Sequence, residues 1–243
     1  MLLSYHKTAY ASSSRSGFDP QNAFDESIKS AWSATSGNSG EWLSVDLGKE
    51  YNVEAVQVNF ADCFTKKKRA PMKEYGGTFT QERYIEEELV RYEYRIEYSS
   101  NGTDWAPYEE TQNTVFPHKL IPRRARARYI RIVFASAPYG QNFSISGLRV
   151  FGLDNNKKPS AVSGENAERT SATEARLSWN SQNDAMGYCI RLGIAPDKLY
   201  NSILLYGQND YTVTFLNKET EKYYFAVDSF NESGITKGSI NEF

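Results

Sequence analysis

Cysteine and histidine are scarce: the 243 residues hold two of each, Cys63, Cys189, His6 and His118. So few soft ligands, with no Cys/His spacing among them, exclude a zinc site. The cysteines also fall in two different strand series, so no disulfide between them is expected. No apolar run approaches the roughly 18 residues that a membrane span needs. The first ten residues, MLLSYHKTAY, lack the apolar stretch of a signal peptide. Charge of one sign is lacking too. The net charge of -2 removes a general electrostatic case for nucleic acid or for an anionic membrane surface. Nucleophile-elbow, phosphate-loop and paired-His motifs are absent, and carboxylates are plentiful without forming a recognisable glycosidase motif.

Aromatic residues are abundant, at 14%. They suit half-buried strands, and flat rings are also what sugar-binding surfaces use. Short alternating segments dominate. Trp42-Leu43-Ser44-Val45-Asp46-Leu47 stops at Gly48, and a second series runs from Val53 to Phe60. Residues 92–98 and 129–134 alternate in the same way. Each is a period-2 strand with one buried face, punctuated by turns such as Ser100-Asn101-Gly102. A helical pattern is confined to residues 81–90. The polar, proline-containing stretch 154–160 reads as a linker. After it, segments such as Ala175-Arg176-Leu177-Ser178-Trp179, Gly187-Tyr188-Cys189-Ile190-Arg191-Leu192 and Tyr223-Tyr224-Phe225-Ala226-Val227 begin a second strand series sized for one antiparallel sandwich.

Several motifs of the first series occur in a distinctive order. They are Asn22-Ala23-Phe24-Asp25, Ser30-Ala31-Trp32, Trp42-Leu43-Ser44-Val45-Asp46-Leu47-Gly48, Ser99-Ser100-Asn101-Gly102-Thr103-Asp104-Trp105, Ala127-Arg128-Tyr129-Ile130-Arg131-Ile132 and Leu148-Arg149-Val150-Phe151-Gly152. In these, residues 1–153 resemble the discoidin (coagulation factor 5/8 type C) family. Leu177-Ser178-Trp179, Gly187-Tyr188 and residues 223–234 give 161–243 a resemblance to fibronectin type III domains. The implied fold is all-β: a galactose-binding-like jelly-roll sandwich followed by an immunoglobulin-like one. Stretches 59–62, 138–147 and 193–201 also resemble C-terminal modules of family-43 glycoside hydrolases of Bacteroidetes.

The resemblance implies a non-catalytic pair of modules that targets or supports a polysaccharide-degrading hydrolase, with xylan- or arabinan-type glycans as ligands. It also implies a periplasmic, cell-surface or secreted setting, a carbohydrate partner of plant or host origin and a glycosidase domain or partner protein, without nucleic acid or membrane insertion. A structural appendage that packs on a catalytic domain without binding sugar is the second reading, and an active enzyme the third. The sugar is expected on loops carrying Ser36, Asn38, Glu41, Asp62, Tyr139, Asn142 and Phe143, where rings stack on C–H faces and polar groups bond hydroxyls. Alternatively, Phe143 packs in the core and Tyr139 covers its own loop. One structural calcium is implied at Asn22, Asp25, Ser27, Ser30 and Ser146; the alternative is that Asp25 caps a turn. Ser27 and Gly147 stand where many relatives carry Asp and Glu.

Trp32, Trp42 and Trp105 sit in scaffold motifs and read as core. Between Phe60 and Tyr92 lies a long insertion with a basic run, Lys66-Lys67-Lys68-Arg69, and an acidic one, Glu86-Glu87-Glu88. The basic run reads either as a contact for an acidic glycan or as a solvated loop. Arg124, Arg126 and Arg128 alternate along a strand and so share one face. A nucleic-acid surface there is disfavoured by their acidic neighbours.

Overall fold

The computed structural model describes residues 1–61, 63, 72–75, 78–81, 91–114, 118–218 and 222–243. The chain forms two compact units, Leu2–Gly152 and Leu153–Phe243. It is an all-β protein of antiparallel sheets, with two short 3₁₀ turns, Pro20–Ala23 and Pro138–Gly140, among the described residues.

The first unit carries β1 (Thr8–Ala11), β2 (Trp32–Ser33), β3 (Trp42–Phe60), β4 (Met72–Tyr75), β5 (Thr78–Gln81), β6 (Tyr92–Ser99), β7 (Ala106–Thr114), β8 (His118–Ser136) and β9 (Ser144–Leu153). Seven of these form a sheet in the order β2-β9-β3-β8-β6-β7, with β1 paired to β3; β4 and β5 form a separate hairpin within the long insertion. Of the expected helical stretch, Gln81 closes β5, while residues 82–90 lie outside the described residues, as do both charged runs of the insertion.

The two expected strands at 42–47 and 53–60 are one strand. The ladder with β8 continues through an irregularity between Asp46 and Tyr51, where Gly48 takes a positive φ of 90° and its N–H donates to Asp46 Oδ1 at 2.8 Å. Positive φ favours glycine, and a bulge bends a strand without ending it. A second irregularity lies between Val53 and Ala55, and Ala55 faces Pro122. Proline has no N–H to give to the ladder, so disturbed pairing belongs at such a position.

The inward residues Leu43, Val45, Val56, Val58, Ile96, Ile130 and Ile132 are fully buried, as their period-2 spacing requires. Trp32 is buried with them. Trp42 and Trp105 are a correction to the core reading, since both are only half-buried. The Arg131 guanidinium lies over both rings, 4.0 Å from the centre of Trp105 and 5.9 Å from that of Trp42. An aromatic ring at a strand end can pack under a cation and leave its edge in water.

The alternating arginines of β8 each face an acid on β3. Arg124 pairs with Glu54 at 2.8 Å, Arg126 with Glu50 at 3.0 Å and Arg128 with Asp46 at 2.7 Å. This cross-strand neutralisation replaces a basic surface with a ladder of ion pairs. The Arg128 hydrogen bonds, together with the Gly48 N–H, hold the Asp46 carboxyl below its usual range although burial pushes the other way.

The second unit has β10 (Asn166–Arg169), β11 (Ala175–Ser178), β12 (Gly187–Gly193), β13 (Asn201–Tyr206), β14 (Asp210–Val213), β15 (Tyr224–Asn231), β16 (Gly234–Thr236) and β17 (Asn241–Glu242). One sheet is ordered β10-β11-β14; the other is β13-β12-β15-β16, with β17 also paired to β15. Leu177 and Val213 of the first sheet share a core with Ile190, Leu192, Phe225 and Val227 of the second. Trp179 joins that core edge-on to Tyr188, with ring centres 5.3 Å apart.

Residues 154–160, expected as a linker, run along this unit. Ser229 Oγ donates to Ser160 O at 2.7 Å, Thr236 Oγ1 to Pro159 O at 2.6 Å, and Asn231 Nδ2 to Lys157 O at 3.1 Å. Polar composition marked the segment as exposed backbone; satisfaction of its carbonyls by β15 and β16 side chains is what ties it down. Cys63 and Cys189 lie in separate units and are not joined by a disulfide.

Candidate functional site

Two groups of polar side chains stand out in the loops of the first unit. One group is built around Glu41, which opens β3. Its carboxylate accepts hydrogen bonds from the hydroxyls of Ser12, Ser13 (2.8 Å) and Ser36 (2.7 Å). Burial alone would raise the carboxyl's pKa; the serine bonds outweigh it and hold Glu41 below the usual carboxylate range. The hydroxyls come from residues preceding β2 and β3, so one charge ties two loops to the sheet.

The 34–41 and 137–143 loops then lie against each other. Asn142 Nδ2 donates to Ala34 O at 2.9 Å, and the Ala34 N–H donates to Phe143 O at 2.9 Å. A Cβ on Gly37 would stand 2.3 Å from Gln141 O, so only glycine permits this approach. Gln141 is buried and its amide donates to the Tyr92 hydroxyl; Tyr92 stacks on Phe60 with ring centres 4.0 Å apart. Next to it, Tyr94 is fully buried and burial pushes its phenol well above its ordinary pKa.

This arrangement sorts the expected sugar contacts. Ser36, Glu41 and Asn142 do come together, but their polar atoms bond the protein's own loops. Asn38 is exposed at the tip, where its carbonyl accepts the Glu41 N–H at 3.5 Å. Phe143 is a correction. It is completely buried and stacked on Phe134 with centres 4.2 Å apart, so it offers no face to a ligand. Its alternation with buried Ile145 continues the inward face of β9 by one step. Tyr139 lies in the Pro138–Gly140 turn, and its side chain lies outside the described residues, as does all of Asp62.

The second group surrounds a cavity of about 550 Å³ that Phe60 borders. Phe18, Ile28 and Phe60 give it apolar walls; Asn22, Lys29, Ser30 and Ser146 add polar groups. Cys63 also borders it. Ile28 is 91% exposed, an apolar side chain held in water at the rim. A concave mix of apolar surface with a few polar groups is the usual chemistry of a small-molecule site. Three residues expected to bind a metal, Asn22, Ser30 and Ser146, line this cavity instead. Ile28, Lys29 and Phe18 went unmarked in the sequence; the one local signal was an isoleucine set among Ser27, Lys29 and Ser30, a turn-like context where an apolar residue has no core to enter.

The turn beside the cavity accounts for Asp25 and Ser27. Asp25 Oδ1 accepts the Ser27 N–H at 2.9 Å and Oδ2 accepts the Ser30 hydroxyl at 2.6 Å. The side chains of Asn22 and Ser146 donate to backbone carbonyls, Ala31 O at 3.2 Å and Asn59 O at 3.3 Å. Calcium takes six to eight oxygens, usually with several carboxylates. This set supplies one carboxylate, and both of its oxygens serve the turn; Gly147 contributes none. Among the described residues no group of three or more His, Cys, Asp or Glu is placed to hold a metal. The residues present do not fit a calcium site.

Residues 8–81 match the F5/8 type C domain family. No curated protein matches the chain. Among solved structures, the chain is similar to chitosan-binding module 1 of a chitosanase/glucanase from Paenibacillus sp. IK-5, with 23% identity over 63% of this chain and 99% of that one and a TM-score of 0.48. The CBM32 of AlyQ, in complex with 4,5-unsaturated mannuronic acid, aligns at 18% identity over 62% of this chain and 98% of that one, with a TM-score of 0.46. A family 89 glycoside hydrolase from Clostridium perfringens aligns at 18% identity over 66% of this chain and 16% of its own, with a TM-score of 0.47.

Proposed function

We propose that the first unit is a non-catalytic carbohydrate-binding module that takes its sugar in the cavity beside Phe60. The observation that carries this reading is the cavity itself. It lies in the unit whose residues 8–81 match the F5/8 type C family, and its volume of about 550 Å³ suits a short saccharide. Ile28, Phe18 and Phe60 offer apolar surface to a sugar's C–H face, while Asn22, Ser30 and Ser146, though each also bonded within the protein, add polar atoms to the lining. Bonds from Asn22 to Ala31 O, from Ser30 to Asp25 and from Ser146 to Asn59 O keep these polar groups ordered before a ligand arrives.

The second unit is proposed to be a fibronectin type III domain acting as spacer or docking element. Its two sheets, β10-β11-β14 and β13-β12-β15-β16, support that reading. So does Tyr223, whose hydroxyl accepts the Asn217 N–H at 2.7 Å just before β15, in the manner of a tyrosine corner. In this account the pair serves a periplasmic, cell-surface or secreted hydrolase acting on plant glycans such as xylan or arabinan. A glycan array followed by calorimetry on the full chain tests it. Binding of at least one saccharide is expected; folded protein that binds none overturns it and favours a purely structural appendage.

A further inference from the structure

From its charge, we infer that the cavity selects an anionic saccharide, with Lys29 as the partner of a uronate carboxylate; this rests on the sugar-binding reading above. Lys29 is the one charged side chain among the described residues lining the cavity. The two carboxylates nearest to it in sequence are already engaged. Glu26 pairs with Arg149 at 2.9 Å, and both oxygens of Asp25 accept bonds from Ser27 and Ser30. Of Lys29's own groups, the structure ties the backbone N–H, to Ser27 Oγ at 3.2 Å, while the side chain is exposed at the rim and in no ion pair among the described residues.

A cation next to apolar wall and neutral hydroxyl and amide groups discriminates by charge. A neutral sugar gains only the apolar and hydroxyl contacts, whereas a uronate adds a charge-assisted bond to the ammonium group. An acid-lined pocket would do the opposite; among the described residues, the acids nearest Lys29 in sequence are engaged by Arg149 and by the turn. Ile28, adjacent in sequence and 91% exposed, supplies the apolar surface that places the ring within reach. The expected orientation therefore sets a sugar C–H face on Ile28 with the carboxylate toward Lys29.

Calorimetry on the full chain, with trigalacturonate, its methyl ester and neutral galactotriose as probes, tests this directly. The ester removes the charge and keeps the ring. Expected is trigalacturonate binding that weakens about tenfold in the ester and about tenfold in Lys29→Gln, corresponding to roughly 1.4 kcal/mol. It should also weaken with added salt. Lys29 is exposed, so Lys29→Gln keeps the melting temperature of the parent, which is measured alongside. Equal binding of the ester, or an unchanged Lys29→Gln, overturns the anionic selection and leaves the sugar site standing. Galactotriose binding more tightly than trigalacturonate does the same. Silence of all three probes overturns the selection; whether the sugar site also falls is then read from the glycan array.

Discussion

Replacing Asp228 with Asn should unfold the second unit at a much lower temperature while leaving the first unchanged. Asp228 is 1% exposed on β15, and four donors converge on its carboxylate. Arg191 gives two bonds, at 2.8 and 2.9 Å, Lys237 Nζ one at 2.9 Å and the Gly238 N–H one at 2.9 Å. Burial alone would raise the carboxyl's pKa, but these donors outweigh it and hold it below its ordinary value. An amide of the same shape replaces one acceptor by a donor, so an N–H would point at N–H groups. Breaking a buried ion pair costs about 3–5 kcal/mol. The Arg191 and Lys237 side chains keep 25% and 68% of their surface exposed and can rehydrate, which places the cost near the lower end, about 3 kcal/mol. For a unit of this size that corresponds to a fall of about 12–24 °C. Scanning calorimetry of the full chain resolves it as a shift of one of two transitions, the first unit's staying in place. The pH dependence has a definite sign. A depressed carboxyl stabilises above its unfolded pKa and loses that contribution as pH falls through its folded value, so the gap between parent and Asp228→Asn should shrink below about pH 4. Equal melting at neutral pH, or a gap that persists unchanged in acid, would refute the reasoning.

Three further outcomes follow from the first unit. Phe143→Ala removes a buried ring stacked on Phe134 and should cost about 3–5 kcal/mol in urea unfolding, whereas an exposed ligand-stacking ring would cost little. Glu41→Gln should lower stability at neutral pH, and its difference from the parent should fade on acidification as the depressed Glu41 carboxyl takes up its proton. Millimolar calcium should leave the first melting transition in place, because a ligand stabilises only where it binds; an upward shift would show donors other than Asp25 and its turn.

The strands were readable because period-2 alternation is a local property: Val56 and Val58, and Ile130 and Ile132, mark their buried face within the segment itself. Where strands end was less so. The residues around Gly48 signal a turn, yet the ladder with β8 carries β3 across it as a bulge, and cross-strand pairing is not written in either segment alone. Trp42 and Trp105 show the same limit, since only the fold brings Arg131 over both rings. At the site, Asp25, Ser27 and Ser30 are close in sequence and close in space, where they form a turn. Ser146 joins Asn22 and Ser30 across more than a hundred residues, and the cavity they share with Ile28 and Lys29 exists only once β9 and the 17–31 segment meet. Phe143 was legible in both senses, and its buried neighbour Ile145 decides for the core.

The central claim is that sugar binds in the cavity beside Phe60, and amide chemical-shift mapping of the full chain with an array-selected saccharide tests it most directly. The largest shifts are expected at Ile28, Lys29, Ser30 and Ser146. Shifts confined to residues 36–41 and 137–143, or none at saturating saccharide, would contradict it.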